Sequence, residues 1–416
     1  MSNDHTPASK EPAAGPKGAA ARVSEVHAQA RPTFVLAALF ALAAMVVAPL
    51  DNNTGLWLPL HLLMVGTFLS AILGATQLLA VTWSSSPAPA RRLADAQRVA
   101  LVIGVIGVAT GRELGSDSSA GKALVGIGGT GVIVALVLLI VSLVKIRKGA
   151  VTDRYVPAIW GYVAAACFGI VGVSLGAVIA SGGLVDDYNT IRGIHLTANA
   201  LGLVGIVILS TLPYFLATQA RMKMAKVATA QRISIAIAGA AVATAVSLVG
   251  WLIGSNVTAA VGTWAYAAVL VGSIWLFPRV GRKQLDWAGP RLLQLASGYL
   301  WWIVALILLG CSALWDKPTL QHVLVLMAVG GFAQIVSSSL NYFAPVITAG
   351  KRKPGEGLRL TRSWASLIGG NIAALGVAIA FEPMAVIGVV IWVGDMIYRF
   401  VLLMRFSRET NASEAA

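Results

Sequence analysis

The sequence predicts an all-α polytopic membrane protein with twelve transmembrane helices in three four-helix arcs. Three observations predict it. The 416 residues are 57% hydrophobic and 12% charged, whereas soluble domains carry about 25% charged residues. Apolar runs of helix length recur along the whole chain, each long enough for a bilayer core of about 30 Å. Three histidines, His61, His195 and His322, each stand near the start of such a run, 134 and 127 residues apart. That near-equal spacing marks a repeated unit.

Residues 1–31 are rich in Ala, Pro, Ser and Lys and lack an apolar period. They are expected to form a disordered cytoplasmic tail, and His5 and His27 within it are read as chance occurrences. A transmembrane domain is expected over 32–406, followed by a second cytoplasmic tail, 407–416. The run from Pro32 to Leu50 follows a hydrophilic leader too long for a signal peptide, so it is read as a helix. The expected spans are 33–50, 56–83, 97–111, 122–145, 156–181, 190–218, 232–254, 257–277, 291–313, 319–348, 363–380 and 385–405. The third has the shortest apolar part, and Arg112 follows it. The second, sixth and tenth are the longest, so they tilt or project beyond the hydrocarbon. Cys167 and Cys311 cannot build a disulfide framework and read as small hydrophobes.

Charge tests the count. With the N-terminus inside, 27 of the 31 Lys and Arg fall in the tails and inner loops; Arg112, Lys122, Arg192 and Lys317 fall outside. This is the bias of the positive-inside rule. Removing one span would invert everything after it and spoil the alternation. The net charge of +14 is therefore assigned to basic loops at a plasma membrane with both termini cytoplasmic. The expected partner is the lipid bilayer, and no nucleic acid is expected.

Topology then places the histidines. Each lies a few residues inside the outer end of an inward-running helix, roughly 6–8 Å below the outer edge at about 1.5 Å per residue. They fall on spans two, six and ten, every fourth helix. An imidazole in an apolar span is costly and calls for a partner or a function. Asn199, Tyr214, Gln334, Asn341 and Tyr342 read as interhelical hydrogen-bonding groups, and Ser337, Ser338 and Ser339 as close-packing residues. Asp395 and Arg399 sit one turn apart and read as an ion pair. Trp57, Trp83, Trp160, Trp251, Trp264 and Trp275 lie near span ends and read as interfacial anchors. Asp186, Asp187 and Arg192 sit in the outer loop above His195.

The segments HLLMVGTFLSAILGATQLLAV, IHLTANALGLVGIVILSTLPYFLATQARMK and GGFAQIVSSSLNYFAPVITAG carry a resemblance. The helix plan resembles subunit I of the haem–copper oxidases. The local wording is similar to the membrane regions of some actinobacterial multicopper oxidases and to the NnrS haem/copper membrane proteins. The resemblance implies that His61 and His322, on helices two and ten, are the axial ligands of one haem b. The small residues nearby, Gly66, Ser70, Gly74, Gly330 and Gly331, leave room for a flat macrocycle and equally fit tight packing. It implies a copper site at His195, on helix six. Span seven has no histidine and span ten only one, so a high-spin haem with a three-histidine copper cannot be assembled. Oxygen reduction by that mechanism is not expected.

The function expected is an integral membrane haem-binding electron-transfer protein, with an outer copper or redox protein as partner. Two alternatives stand beside it. One is a twelve-helix secondary transporter of a small solute. The loop RVGRKQLDWAG resembles the basic loop of the major facilitator group, but the threefold histidine spacing does not suit two six-helix halves. The other is a cofactor-free assembly subunit. The chain has no Walker loop, no CxxC and no HExxH.

Overall fold

A computed structural model of the chain describes residues 18–183, 187–315, 320–348 and 354–415. All secondary structure among them is helical. In chain order the long helices are α1 (Ala19–Val47), α2 (Trp57–Ser84), α3 (Arg91–Glu113), α4 (Ser119–Lys148), α5 (Val156–Ala180), α6 (Tyr188–Gln219), α7 (Ala230–Leu252), α8 (Asn256–Leu276), α9 (Pro290–Leu314), α10 (Leu320–Thr348), α11 (Trp364–Ala378) and α12 (Glu382–Ala415). Two short helices, Arg282–Ala288 and Pro354–Leu360, lie in connections. Among the described residues eleven helices are long and apolar enough to cross a membrane, as in a multi-pass membrane protein. The third expected span is one of them. The helix that falls short is α11, with 15 residues, about 22 Å at 1.5 Å per residue.

Two boundaries differ from expectation. Helix α1 begins at Ala19, so residues 19–31 are helical where disorder was expected. Its polar composition hid contacts made elsewhere: Val26 and Ala30 are buried, Gln29 Nε2 donates to Pro89 O at 2.9 Å, and Arg31 Nη2 donates to Ile347 O at 2.9 Å. At the other end α12 runs on through the expected tail to Ala415. Residues 1–17 of the N-terminal tail, His5 with them, lie outside the described residues.

Helices α2, α6 and α10 form the centre. The buried shares of their apolar windows are 72%, 94% and 61%, the three highest of the eleven. The peripheral helices instead present Leu39, Val99, Ile235, Val257 and Val386 outward, surfaces suited to lipid contact. The three central helices run parallel. His61 faces His195 at one end of α2 and α6, and Trp83 meets Tyr214 at the other. Helix α10 joins both: Phe332 packs edge-on against Phe68, with centroids 6.2 Å apart, and Phe343 stacks on Phe215 at 5.1 Å. Phe68 lies seven residues past His61 and Phe332 ten past His322, so the histidine positions share a depth to within about three residues, or about 4.5 Å.

Each central helix contains a π-helical stretch just after its histidine: Leu62–Phe68, Ala198–Gly205 and Leu326–Ala333. A π turn takes up one more residue than an α turn and is rarely longer than a single bulge. Each stretch holds a glycine against which an aromatic residue of the preceding long helix packs. A Cβ on Gly66 would lie 2.6 Å from Phe40 Cγ, one on Gly202 2.6 Å from Phe168 Cγ, and one on Gly331 3.1 Å from Trp302 Cβ. Three hairpins flank this centre, α3–α4, α7–α8 and α11–α12, each closed along a seam of small residues. A Cβ on Gly107 would lie 2.9 Å from Gly128 Cα, one on Gly262 2.7 Å from Ser247 Cα, and one on Gly369 2.7 Å from Trp392 N. Small residues let backbones approach where lipid supplies no hydrophobic drive.

Candidate functional site

The three histidines meet different surroundings. His61 and His195 are half-buried and face each other, with ring centroids 6.4 Å apart and planes 13° apart. His322 is exposed and has no hydrogen bond or ring contact among the described residues. The structure thus brings together His61 and His195 and leaves His322 apart, although all three begin parallel central helices.

Local sequence fixes both rings. His61 Nδ1 lies 2.8 Å from Trp57 O, one turn back in α2, and the Trp57 ring stacks on the imidazole at 3.9 Å. The loop before Trp57 is tied down by Glu113 at the end of α3, which accepts from Asn53 N at 3.0 Å and from the Thr54 hydroxyl. His195 Nδ1 lies 2.7 Å from Gly172 O on α5. A carbonyl can only accept, so Nδ1 carries the proton in both rings and Nε2 carries the lone pair. Asn199, one turn on, donates Nδ2 to His195 O at 2.9 Å.

Gly172 and Gly176 make the approach of His195 possible. A Cβ on Gly176 would lie 2.5 Å from His195 Cε1 and 2.6 Å from Nδ1; one on Gly172 would lie 2.6 Å from Asn199 Cγ. These two glycines were not singled out in the sequence. Their signal was present in the GVSLG run of span five, a small-xxx-small face. Trp57 was read as an interfacial anchor, and its placement one turn before His61 is what lets the rings stack.

An imidazole with a protonated Nδ1 and a free Nε2 carries the lone pair that a metal ligand needs. No group of three or more His, Cys, Asp or Glu suited to a metal occurs among the described residues.

The small residues expected beside a flat macrocycle are occupied otherwise. Phe40 fills the Gly66 notch, Phe34 packs on Gly74, Trp301 and Ala374 pack on Gly330, and Trp302 packs on Gly331. Ser70 is buried with its hydroxyl unpartnered. The other polar groups depart in part from the interhelical bonds expected: Asn199 and Gln334 bond back one turn within their own helices. Tyr214 OH donates to Arg154 O at 3.1 Å, Gln334 Nε2 to Gly330 O at 3.0 Å, Thr361 Oγ1 to Asn341 O at 2.6 Å and Ser338 Oγ to Arg291 O at 2.8 Å. Arg399 Nε pairs with Asp395 at 3.2 Å, and Ser366 Oγ donates to the same carboxylate at 2.6 Å. In the loop before His195, Asp187 is exposed and Arg192 half-buried; Asp186 lies outside the described residues.

No family model matches the chain, and no curated protein matches it.

Proposed function

We propose that this chain is an integral membrane redox protein that holds one metal-centred cofactor between His61 and His195. The observation that carries the reading is the pair of near-parallel imidazoles, 6.4 Å apart, each with Nδ1 tied to a backbone carbonyl. The wider proposal is a twelve-helix chain of three four-helix groups in the plasma membrane. Its basic ends face the cytoplasm, and its histidine end faces an outer copper or redox partner. The glycine notches and the small-residue hairpins, each occurring three times, support the grouping.

The donor set fits haem b, the group that the oxidase-like helix plan implies. His61 and His195 would hold it. Bound there, it would supply single-electron exchange. The chain's own residues do the positioning. Trp57 O and Gly172 O fix the tautomers and raise the basicity of Nε2. The Trp57 ring covers one face of His61 and keeps water from it. Gly172 and Gly176 admit the His195 ring against α5. This reading moves the second ligand from His322 to His195, because His322 would have to turn inward from an exposed position.

A copper ion is the second reading. The filled notches at Gly66, Gly74, Gly330 and Gly331 favour it, since a bare ion needs no slot for a macrocycle, and imidazole suits copper as well as iron.

The test is the purified full-length chain. A Soret band that shifts with dithionite, with about one iron per chain, supports haem. Colourless protein with about one copper per chain supports the second reading. Colourless, metal-free protein overturns both and leaves the transporter or assembly subunit.

A further inference from the structure

The opposite end of the bundle contains a cluster of donors with no acceptor. Arg291, in the first turn of α9, is only 2% exposed, yet its Nε, Nη1 and Nη2 have no hydrogen-bond partner. Trp287, four residues earlier, has a buried indole Nε1 that is likewise unpartnered. Two more arginines converge on the pair. The Arg221 guanidinium sits 3.4 Å over the Trp287 ring. Arg362 packs against Gly289, where a Cβ would lie 2.9 Å from Nη2. Arg221 and Arg362 both act on Arg291 as like charges, and its one favourable neighbour is the Tyr342 ring, 5.5 Å away. No carboxylate among the described residues pairs with any of the three.

A buried charge without a partner is costly, and so is each buried donor without an acceptor. This fold is able to pair charges: Asp395 holds Arg399 in the same half of α12. The Arg291 cluster therefore lacks a ligand rather than a neighbour. The ligand must be anionic, must accept from several directions, and must suit planar guanidinium groups. A phosphate group meets all three needs. The N-terminus of the 25-residue α9 adds the positive end of its dipole and free N–H groups. Exposure rises from Arg291 through the half-buried Arg362 to the exposed Arg221, which gives the ligand a way in.

The geometry points to a phosphate-binding site formed by Arg221, Arg291, Arg362 and the Trp287 indole at the basic end of the bundle. The phosphate belongs either to the headgroup of an anionic phospholipid or to a free phosphate, and the two sources are separable.

The experiment uses delipidated full-length protein. One arm compares nanodiscs of phosphatidylcholine alone with nanodiscs of phosphatidylcholine and phosphatidylglycerol in equal parts. The other compares detergent solutions with inorganic phosphate and with chloride at equal ionic strength. The readout is the thermal midpoint of unfolding. Wild-type protein gains about 3 °C or more in at least one arm. That gain disappears in Arg291→Gln and is at least halved in Arg221→Gln, whose side chain is exposed. A gain with phosphatidylglycerol alone assigns a lipid headgroup; a gain with inorganic phosphate assigns a soluble phosphate. No gain in either arm, or an equal gain in wild type and Arg221→Gln, overturns the proposal.

Discussion

The two ends of the bundle leave opposite kinds of chemistry unsatisfied. At the histidine end the imidazole N–H groups are spent on carbonyls, and lone pairs remain at Nε2 of His61 and His195. At the basic end the carbonyls are spent on hydroxyls such as that of Ser338, and N–H groups remain on Arg291 and Trp287. Free lone pairs suit a cation and free donors suit an anion. The two proposed sites are therefore of opposite sign: α2 and α6 supply the imidazoles at one end, and the residues around the start of α9 supply the donors at the other. The lesson is that orphan polar atoms, more than cavities, tell what each end is for.

Substitutions that disturb one end alone sharpen this comparison. The largest expected effect is Gly176→Leu, because even a Cβ there would lie 2.5 Å from the His195 ring. Metal or haem content should fall at least about tenfold, the scale of losing a residue that orients a ligand. The phosphate-induced shift at the other end should survive. Loss of both would show that the variant is unfolded rather than blocked at one site.

Next is Arg291→Met in phosphate-free detergent. Replacing an unpaired buried charge by an apolar side chain should raise stability by about 3 kcal/mol, read as a higher midpoint in chemical denaturation, with cofactor content unchanged. A fall would mean that the guanidinium has a partner. Asp395→Asn provides the contrast, since that charge is paired with Arg399 and Ser366. Its loss should cost about 2 kcal/mol, between the values for exposed and buried pairs. The smallest effect is Trp57→Ala, which removes one stacked ring from His61. It should cost about 1 kcal/mol and leave the second ligand in place, so cofactor is weakened but retained; complete loss of cofactor would assign Trp57 a larger role.

Much of this was legible in the sequence, for identifiable reasons. Apolar length reveals spans, and the recurrence of a histidine on every fourth one marked α2, α6 and α10, which are the most buried helices. The Asp395–Arg399 pair followed from one-turn spacing. Three features were hidden. The start of α1 at Ala19 depends on Gln29 and Arg31 reaching Pro89 and Ile347, contacts 60 and 316 residues away. The π stretches have no apolar period of their own, because a lengthened turn alters hydrogen bonding and not composition. Above all, spacing gives equal standing to three histidines at one depth. It cannot tell that two of them face each other and the third faces out. The glycines shared this ambiguity: Gly66 and Gly331 read as room for a macrocycle or as tight packing until Phe40 and Trp302 were placed against them.

The central claim is that His61 and His195 share one cofactor without His322. The most direct measurement is metal and haem content per chain, with the reduced spectrum, in wild type, His61→Ala, His195→Ala and His322→Ala purified side by side. The account predicts cofactor in wild type and His322→Ala, and its loss in His61→Ala and His195→Ala. Cofactor retained in His195→Ala but lost in His322→Ala would contradict the account and restore His61 and His322 as the ligand pair.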